Sequence, residues 1–271
     1  MKVKDAPFLQ GFVRLAEEGY RKGWHERNGG NLSYRIAEEE VESVRKHFRK
    51  TDEWIPTQVH VPNLANEFFL VTGSGKYMRN VILSPEDNLA IAEVDSTGDN
   101  YRVVWGLESG GRPSSEFPSH LMNQSIKKSQ SETFRVIYHA HPVNVVALTF
   151  ILPLEDAAFT REIWGRMTEC PVIFPEGIGV VPWMVPGGWE IALASGEKMK
   201  EFNIVVWAHH GLFCAGSDFD QAYGLMETVE KSAEISVKVR SMGTPIHEIP
   251  REGYTKLAEA FQIHLREEFL D

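Results

Sequence analysis

Apolar residues recur at helical spacing near the start of the chain. Phe8, Phe12, Leu15 and Tyr20 share one face, which predicts an amphipathic helix over 6–23. Gly29-Gly30 ends that region, and 31–36 reads as a strand that leaves a turn. A second β-rich run covers 67–72, and two more lie near 90–95 and 101–106. Ser84-Pro85 has the form of a helix cap followed by proline at the first helical position. Ser114 or Ser115 is placed to cap a helix reaching about Lys128. Phe134–His141 is rich in β-formers and stops at Pro142. Helical patterns then occupy 143–151, 160–168 and 188–201, and Asn203–Ala208 reads as a short buried strand. Asp218 is placed to cap a long helix through Val239, stopped by Gly243, and a last helix is predicted over 254–268. Strands and helices interleave without a regular β-α-β period. The expectation is one layered α/β domain over residues 1–271 with a mixed or antiparallel sheet, not a doubly wound fold.

Composition narrows the function classes. At 271 residues the chain can bury a sizeable core, and 42% hydrophobic with 24% charged residues is ordinary for a globular protein. With 28 basic and 38 acidic side chains the net charge is −10, which argues against a nucleic-acid partner held by a basic footprint. A small phosphorylated substrate stays compatible, because backbone N–H groups and hydroxyls can hold a phosphate locally. Cys170 and Cys214 form neither a CxxC pair nor a disulfide framework, so a reducing cytoplasm is expected. The N-terminal MKVKDAPFLQ lacks the apolar core of a secretory signal. The longest apolar run, near Val143–Leu154, falls well short of the roughly 20 residues that span a bilayer, so no membrane partner is expected.

Several motifs fail on inspection. Thr72-Gly73-Ser74-Gly75-Lys76 lacks the first glycine of a nucleotide P-loop, where Leu70 stands, and Tyr77 replaces the magnesium-binding hydroxyl. His247-Glu248 opens like a metalloprotease helix, but Arg251 sits where the second histidine belongs. No nucleophile elbow or dinucleotide glycine fingerprint is present.

Histidine carries more information. His139 and His141 lie two apart in a predicted strand, so their imidazoles share a face and form a two-nitrogen platform for zinc. The same pair can also be plain polar decoration of a sheet. His209-His210-Gly211 leaves a second strand, and spacing alone does not choose between the two histidines as a third ligand. Three histidines with an open fourth position describe a catalytic zinc site. Glu116, in Pro113-Ser114-Ser115-Glu116, is a nearby acid at a helix start, where a solvated first-turn carboxylate is the bland alternative. Asn28-Gly29-Gly30-Asn31, Gly73-Ser74-Gly75 and Ser114-Ser115 are three candidate anion-binding elements.

These segments, in this order, resemble the class II aldolase/adducin-like family. Further matching stretches are Gly23–Arg27, Phe159-Thr160-Arg161, Thr168-Glu169-Cys170 and Pro182-Trp183-Met184-Val185-Pro186-Gly187. The last points to the branch that acts on rhamnulose 1-phosphate. The resemblance runs from about Gly11 to Gly243. It implies a three-layer domain with a largely antiparallel central sheet flanked by helices. It also implies a homotetramer with active sites at subunit boundaries, one zinc per subunit, and reversible cleavage of L-rhamnulose 1-phosphate to dihydroxyacetone phosphate and L-lactaldehyde. Carried over, His139, His141 and His210 are the zinc ligands and Glu116 the acid/base. Asn28, Gly30, Asn31, Ser74, Gly75, Ser114 and Ser115 become substrate and phosphate contacts, and Glu169 an acid lent to a neighbour's site. Ser114 stands where threonine is expected, and His209 is an extra histidine beside the ligand position. Other aldolases or epimerases of this fold, and adducin-like interaction modules, are the competing expectations.

Overall fold

A computed structural model describes residues 1–270. Nine strands among them form one sheet: β1 (Asn31–Arg35), β2 (Ile55–Pro56), β3 (Phe68–Thr72), β4 (Leu89–Val94), β5 (Asn100–Gly106), β6 (Val136–Ala140), β7 (Gly179–Val181), β8 (Ile204–Trp207) and β9 (Gly211–Gly216). Their spatial order is β2-β5-β4-β3-β1-β6-β9-β8-β7. Every pairing is antiparallel except β7 on β8.

Strand side chains alternate between the two faces, and here both faces are covered. Leu32, Tyr34, Leu70, Val136, Tyr138, Leu212 and Cys214 enter one apolar core. Their neighbours Phe69 and Val71 enter a second, and Ile137 and Phe213 a third, on the opposite side. That is why the central strands are buried at nearly every position and read as continuous apolar runs.

The helices follow as α1 (Pro7–Arg21), α2 (Glu38–Val44), α3 (Met78–Val81), α4 (Pro85–Asn88), α5 (Phe117–Gln130), α6 (Val143–Leu148), α7 (Asp156–Trp164), α8 (Cys170–Ile173), α9 (Trp189–Met199), α10 (Phe219–Met242) and α11 (Arg251–Phe261). On the first face pack α1, through Phe8, Phe12 and Leu15, and α10, through Leu225, Met226 and Val229. Phe117 and Leu121 of α5 and Ile191 and Met199 of α9 cover the other. The result is three layers, helix–sheet–helix. No helix among the described residues is long and apolar enough to cross a membrane.

Several local expectations shift. The expected serine cap of α5 is replaced by Glu116 at the N-cap position, and Ser114 Oγ accepts the Glu116 N–H at 3.2 Å. Ser84 does precede α4, but its hydroxyl donates to Asp87 at 2.8 Å and leaves the helix N–H groups alone. Strand β6 ends at Ala140, so His141 lies one residue past it, its N–H donating to Trp24 O. The final helix begins at Arg251 and stops at Phe261, because Gln262 turns left-handed at φ 53°. Beyond Gly243 the tail completes the first core. Phe269 packs edge-on against Trp164 at 5.8 Å, and Tyr254 and Leu265 are buried.

Candidate active site

The site lies on the α5 side of the sheet, at the end where β6 stops. His139 is the penultimate residue of β6, paired with Asn31 of β1 and Phe213 of β9. Its ring is fully buried and stacked on Phe213 at 4.1 Å. His141 follows across one residue. His210 sits in the tight connection from β8 to β9, its N–H bonded to Trp207 O. The ring centroids of the three are 5.1, 5.0 and 4.9 Å apart, and one nitrogen from each lies within 4.8 Å of the others.

The imidazoles are set to donate lone pairs. His139 Nδ1 donates to Leu212 O at 3.1 Å, which leaves Nε2 unprotonated. His141 Nδ1 donates to Glu26 Oε1 at 2.7 Å. Both Nε2 atoms are buried with no hydrogen-bond partner. Such orphans cost free energy unless something accepts them, and a cation does. Burial lowers the pKa of His139 well below its ordinary value and that of His210 to about 4, so both rings stay neutral, as ligation requires. Three nitrogen donors with one side open to the cleft fit a catalytic metal site.

Glu116 closes the arrangement. It is 7% exposed, with Oε2 3.5 Å from His139 Nε2 and Oε1 3.5 Å from His210 Nε2. Asn31 Nδ2 donates to Oε2 at 2.7 Å. Burial raises the carboxyl pKa, opposed by the Asn31 hydrogen bond and the His141 charge. A carboxyl whose pKa is raised in this way suits a group that takes up and gives back a proton.

A cleft of about 200 Å³ opens in front of these groups. Asn28, Gly30, Asn31, Ser74, Gly75, Ser114, Ser115, Glu116, His141 and His210 all line it. A single antiparallel bridge from Gly73 to Pro113 holds the Gly-Ser-Gly loop beside the serine pair, with Ser74 N–H on Arg112 O. Gly30 has φ +71°, and a Cβ there would lie 2.8 Å from His139 O, so only glycine lets the loop enter β1 at this point. Gly187, also left-handed, brings the Pro182–Gly187 segment against Ser115, and Pro186 joins the cleft wall. A larger cleft of about 470 Å³ beside Lys22 and Trp24 holds no triad of metal donors.

His209 is separate from this cluster. Its backbone is left-handed at φ 59°, its ring lies 4.3 Å from Phe150, and Nδ1 contacts Thr149 Oγ1 at 3.0 Å. Glu169 is exposed at the start of α8 and lines no part of the cleft in its own subunit. Sequence reasoning missed three contributors. Glu26 orients His141. His25 Nδ1 donates to Gly29 O at 3.0 Å while Nε2 meets Tyr138 OH at 2.8 Å, tying the glycine loop to β6. His120 contacts Asn31 and Ser33. Only the Gly23–Arg27 match, which contains both His25 and Glu26, carried a signal in the sequence.

A family model described as the class II aldolase and adducin N-terminal domain matches residues 10–237. The rhamnulose-1-phosphate aldolase of Mannheimia succiniciproducens is 44% identical over 257 residues, covering 94% of each chain. That of Yersinia pestis is 46% identical over the same length and coverage. Among solved structures, a sugar-phosphate aldolase from Thermotoga maritima superposes with a TM-score of 0.74 at 27% identity, covering 88% of this chain and 97% of the other. An L-fuculose-1-phosphate aldolase from Thermus thermophilus shares the fold, with a TM-score of 0.57 at 23% identity, covering 89% and 98%.

Proposed function

The chain belongs to the class II aldolase and adducin N-terminal domain family, and from that premise we propose that it cleaves L-rhamnulose 1-phosphate reversibly to dihydroxyacetone phosphate and L-lactaldehyde. It is a carbon–carbon lyase whose whole length, residues 1–271, serves as one catalytic domain. The observation that carries this is the trio of converging imidazoles, two with orphaned Nε2 atoms, facing a polar cleft beside buried Glu116. An interaction module has no use for such an arrangement.

His139, His141 and His210 hold one Zn²⁺. When bound, the cation supplies Lewis-acid polarisation of the substrate carbonyl and stabilises the negative charge that grows on its oxygen. The protein's groups do the rest. Asn28, the Gly30 and Asn31 backbone, Ser74, Gly75, Ser114 and Ser115 hold the phosphate half and the sugar hydroxyls. Breaking the C3–C4 bond leaves the electron pair on the dihydroxyacetone phosphate half, and Glu116 delivers a proton to C3. In the synthetic direction the same carboxylate removes it. The proton lost from the C4 hydroxyl passes to Glu169 of a neighbouring copy. The active form is a homotetramer with its sites at subunit boundaries. It works in the cytoplasm, where Cys170 and Cys214, both buried and unpaired, stay reduced.

The test is release of dihydroxyacetone phosphate from rhamnulose 1-phosphate, with and without chelator, followed by zinc restoration. L-Fuculose 1-phosphate serves as the competing substrate. Turnover abolished by chelator, restored by zinc and selective for rhamnulose 1-phosphate is expected. Full activity in stripped protein, or preference for the fuculose isomer, overturns the assignment.

A further inference from the structure

Glu116 is held by a hydrogen-bond chain that begins two helical turns away. His120 lies one turn after Glu116 on α5, its ring fully buried between the helix and β1. Its Nε2 meets Asn31 Oδ1 and its Nδ1 lies 2.8 Å from Ser33 Oγ. Gln124, a turn further on, sends its Nε2 to Ser33 Oγ at 3.2 Å and to Arg135 O at 2.9 Å. Asn31 Nδ2 in turn reaches Glu116 Oε2.

The direction of this chain is forced. A carboxylate accepts, so the Asn31 amide nitrogen must face Glu116 and its oxygen must face His120. That oxygen can only accept, so His120 carries its proton on Nε2. Nδ1 is then an acceptor and takes the Ser33 hydroxyl proton, and Ser33 Oγ accepts from Gln124. Reversing any member sets two acceptors against each other in the core, where nothing else can satisfy them. Burial lowers the His120 pKa to about 3, which keeps the ring in the one-proton form that the chain needs.

We propose that His120 is a positioning residue for Glu116: by donating from Nε2 it fixes the Asn31 amide so that Oε2 is tethered and Oε1 faces the cleft for proton transfer at C3. This rests on the assignment of Glu116 as the acid/base. The carboxyl has no other side-chain hydrogen bond, so its aim depends on the Asn31 amide, and the amide's orientation depends on the ring.

Two substitutions of like polarity separate aim from mere packing. Gln in place of His120 puts an amide near the Nε2 position and can still donate to Asn31. Asn puts one near Nδ1 and reaches only Ser33. The probe is dihydroxyacetone phosphate alone in deuterated water, with C3 deuterium uptake followed by NMR. KM and kcat for cleavage, metal content and melting temperature are measured beside it. H120Q should exchange within about threefold of the native rate, while H120N, metal-loaded, loses about 10–100-fold in exchange and in kcat with KM unchanged. E116Q should lose about 10²–10⁴-fold. If E116Q exchanges normally, the acid/base assignment falls and this proposal with it. If E116Q is dead while a folded, metal-loaded H120N matches H120Q, only the His120 role is wrong. Should H120N fail to fold, ¹⁵N-histidine NMR of the native protein decides: an Nε2–H tautomer at His120 is required, and an Nδ1–H tautomer overturns the proposal.

Discussion

His209 and His210 are adjacent in sequence and opposed in space, and a single backbone angle separates them. The left-handed turn at His209 sends one ring to Phe150 and the other toward His139 and His141. His210→Ala should therefore lose most of its bound zinc by elemental analysis, and His209→Ala should keep it. The reverse pattern would exchange the two residues' roles. The His-x-His pair was legible as a two-nitrogen platform because strand spacing puts both rings on one face, whereas spacing left His209 and His210 undecided and only the resemblance favoured His210. The roles of His25, Glu26 and His120 were not legible, because each gains its meaning from a partner far along the chain: Glu26 meets His141 across 115 residues and His120 meets Asn31 across 89. His25 also carries a pH dependence. Burial lowers its pKa to about 4, below the unfolded value near 6.5. Between those values the unfolded chain binds more protons, so the stability is fully present above about pH 6.5 and is lost as pH falls toward 4. Glu116, Glu176 and Glu230, raised by burial, act in the opposite sense and obscure the raw profile. Comparison with His25→Asn removes them. Relative to that variant, native stability in urea should fall by up to about 1.4 kcal/mol per pH unit across this window. A flat difference between pH 7.5 and 5 would show that His25 titrates normally in the fold.

At the scale of elements, boundaries written by capping chemistry were readable and those written by tertiary pairing were not. Asp218 caps α10 as expected, its Oδ1 accepting the Gln221 N–H at 2.8 Å, and the helix runs on to Gly243. Asp218→Ala should lower stability by about 0.5–2 kcal/mol in thermal or urea unfolding while leaving cleavage unchanged. A loss of activity at native stability would mean that the cap serves the site as well as the helix. Strand β9 escaped notice although it lies beside β6 in the middle of the sheet. Gly211-Leu212-Phe213-Cys214-Ala215-Gly216 has glycine at both ends and, buried on both faces, shows no polar alternation. Three-residue β7 and acid-rich α2 are too short or too charged to stand out. The start of α5 and the extent of α11 were misplaced for a related reason. α5 begins only after Glu116, whose backbone is not yet helical, and α11 stops where Gln262 turns left-handed, which are events of the folded backbone.

At the scale of the molecule, apolar side chains remain outside the core around the site. Val143, Phe150 and Ile151 follow His141, and Trp183, Val185 and Trp189 flank the Pro186 wall, all more than half exposed. Surfaces of this kind favour burial against another copy, and Glu169 has no partner in its own subunit's cleft. Subunits carrying only Glu116→Gln, mixed with subunits carrying only Glu169→Ala, should recover activity that neither parent shows. Mixing verified without recovery, or a monomer by light scattering, defeats the shared site. The sheet order has a kinetic consequence as well. β6 lies between β1 and β9, so pairing His139 with Phe213 closes one long loop before the histidine-bearing segments meet, and pairing Asn31 with His139 closes another before Glu116 is tethered. Contacts so distant in sequence form late, after their closure entropy has been met by the rest of the fold. A cation bound at the proposed triad would then meet a cradle already formed. Its arrival should slow unfolding and leave the refolding rate where it was, which kinetics with and without added zinc would show.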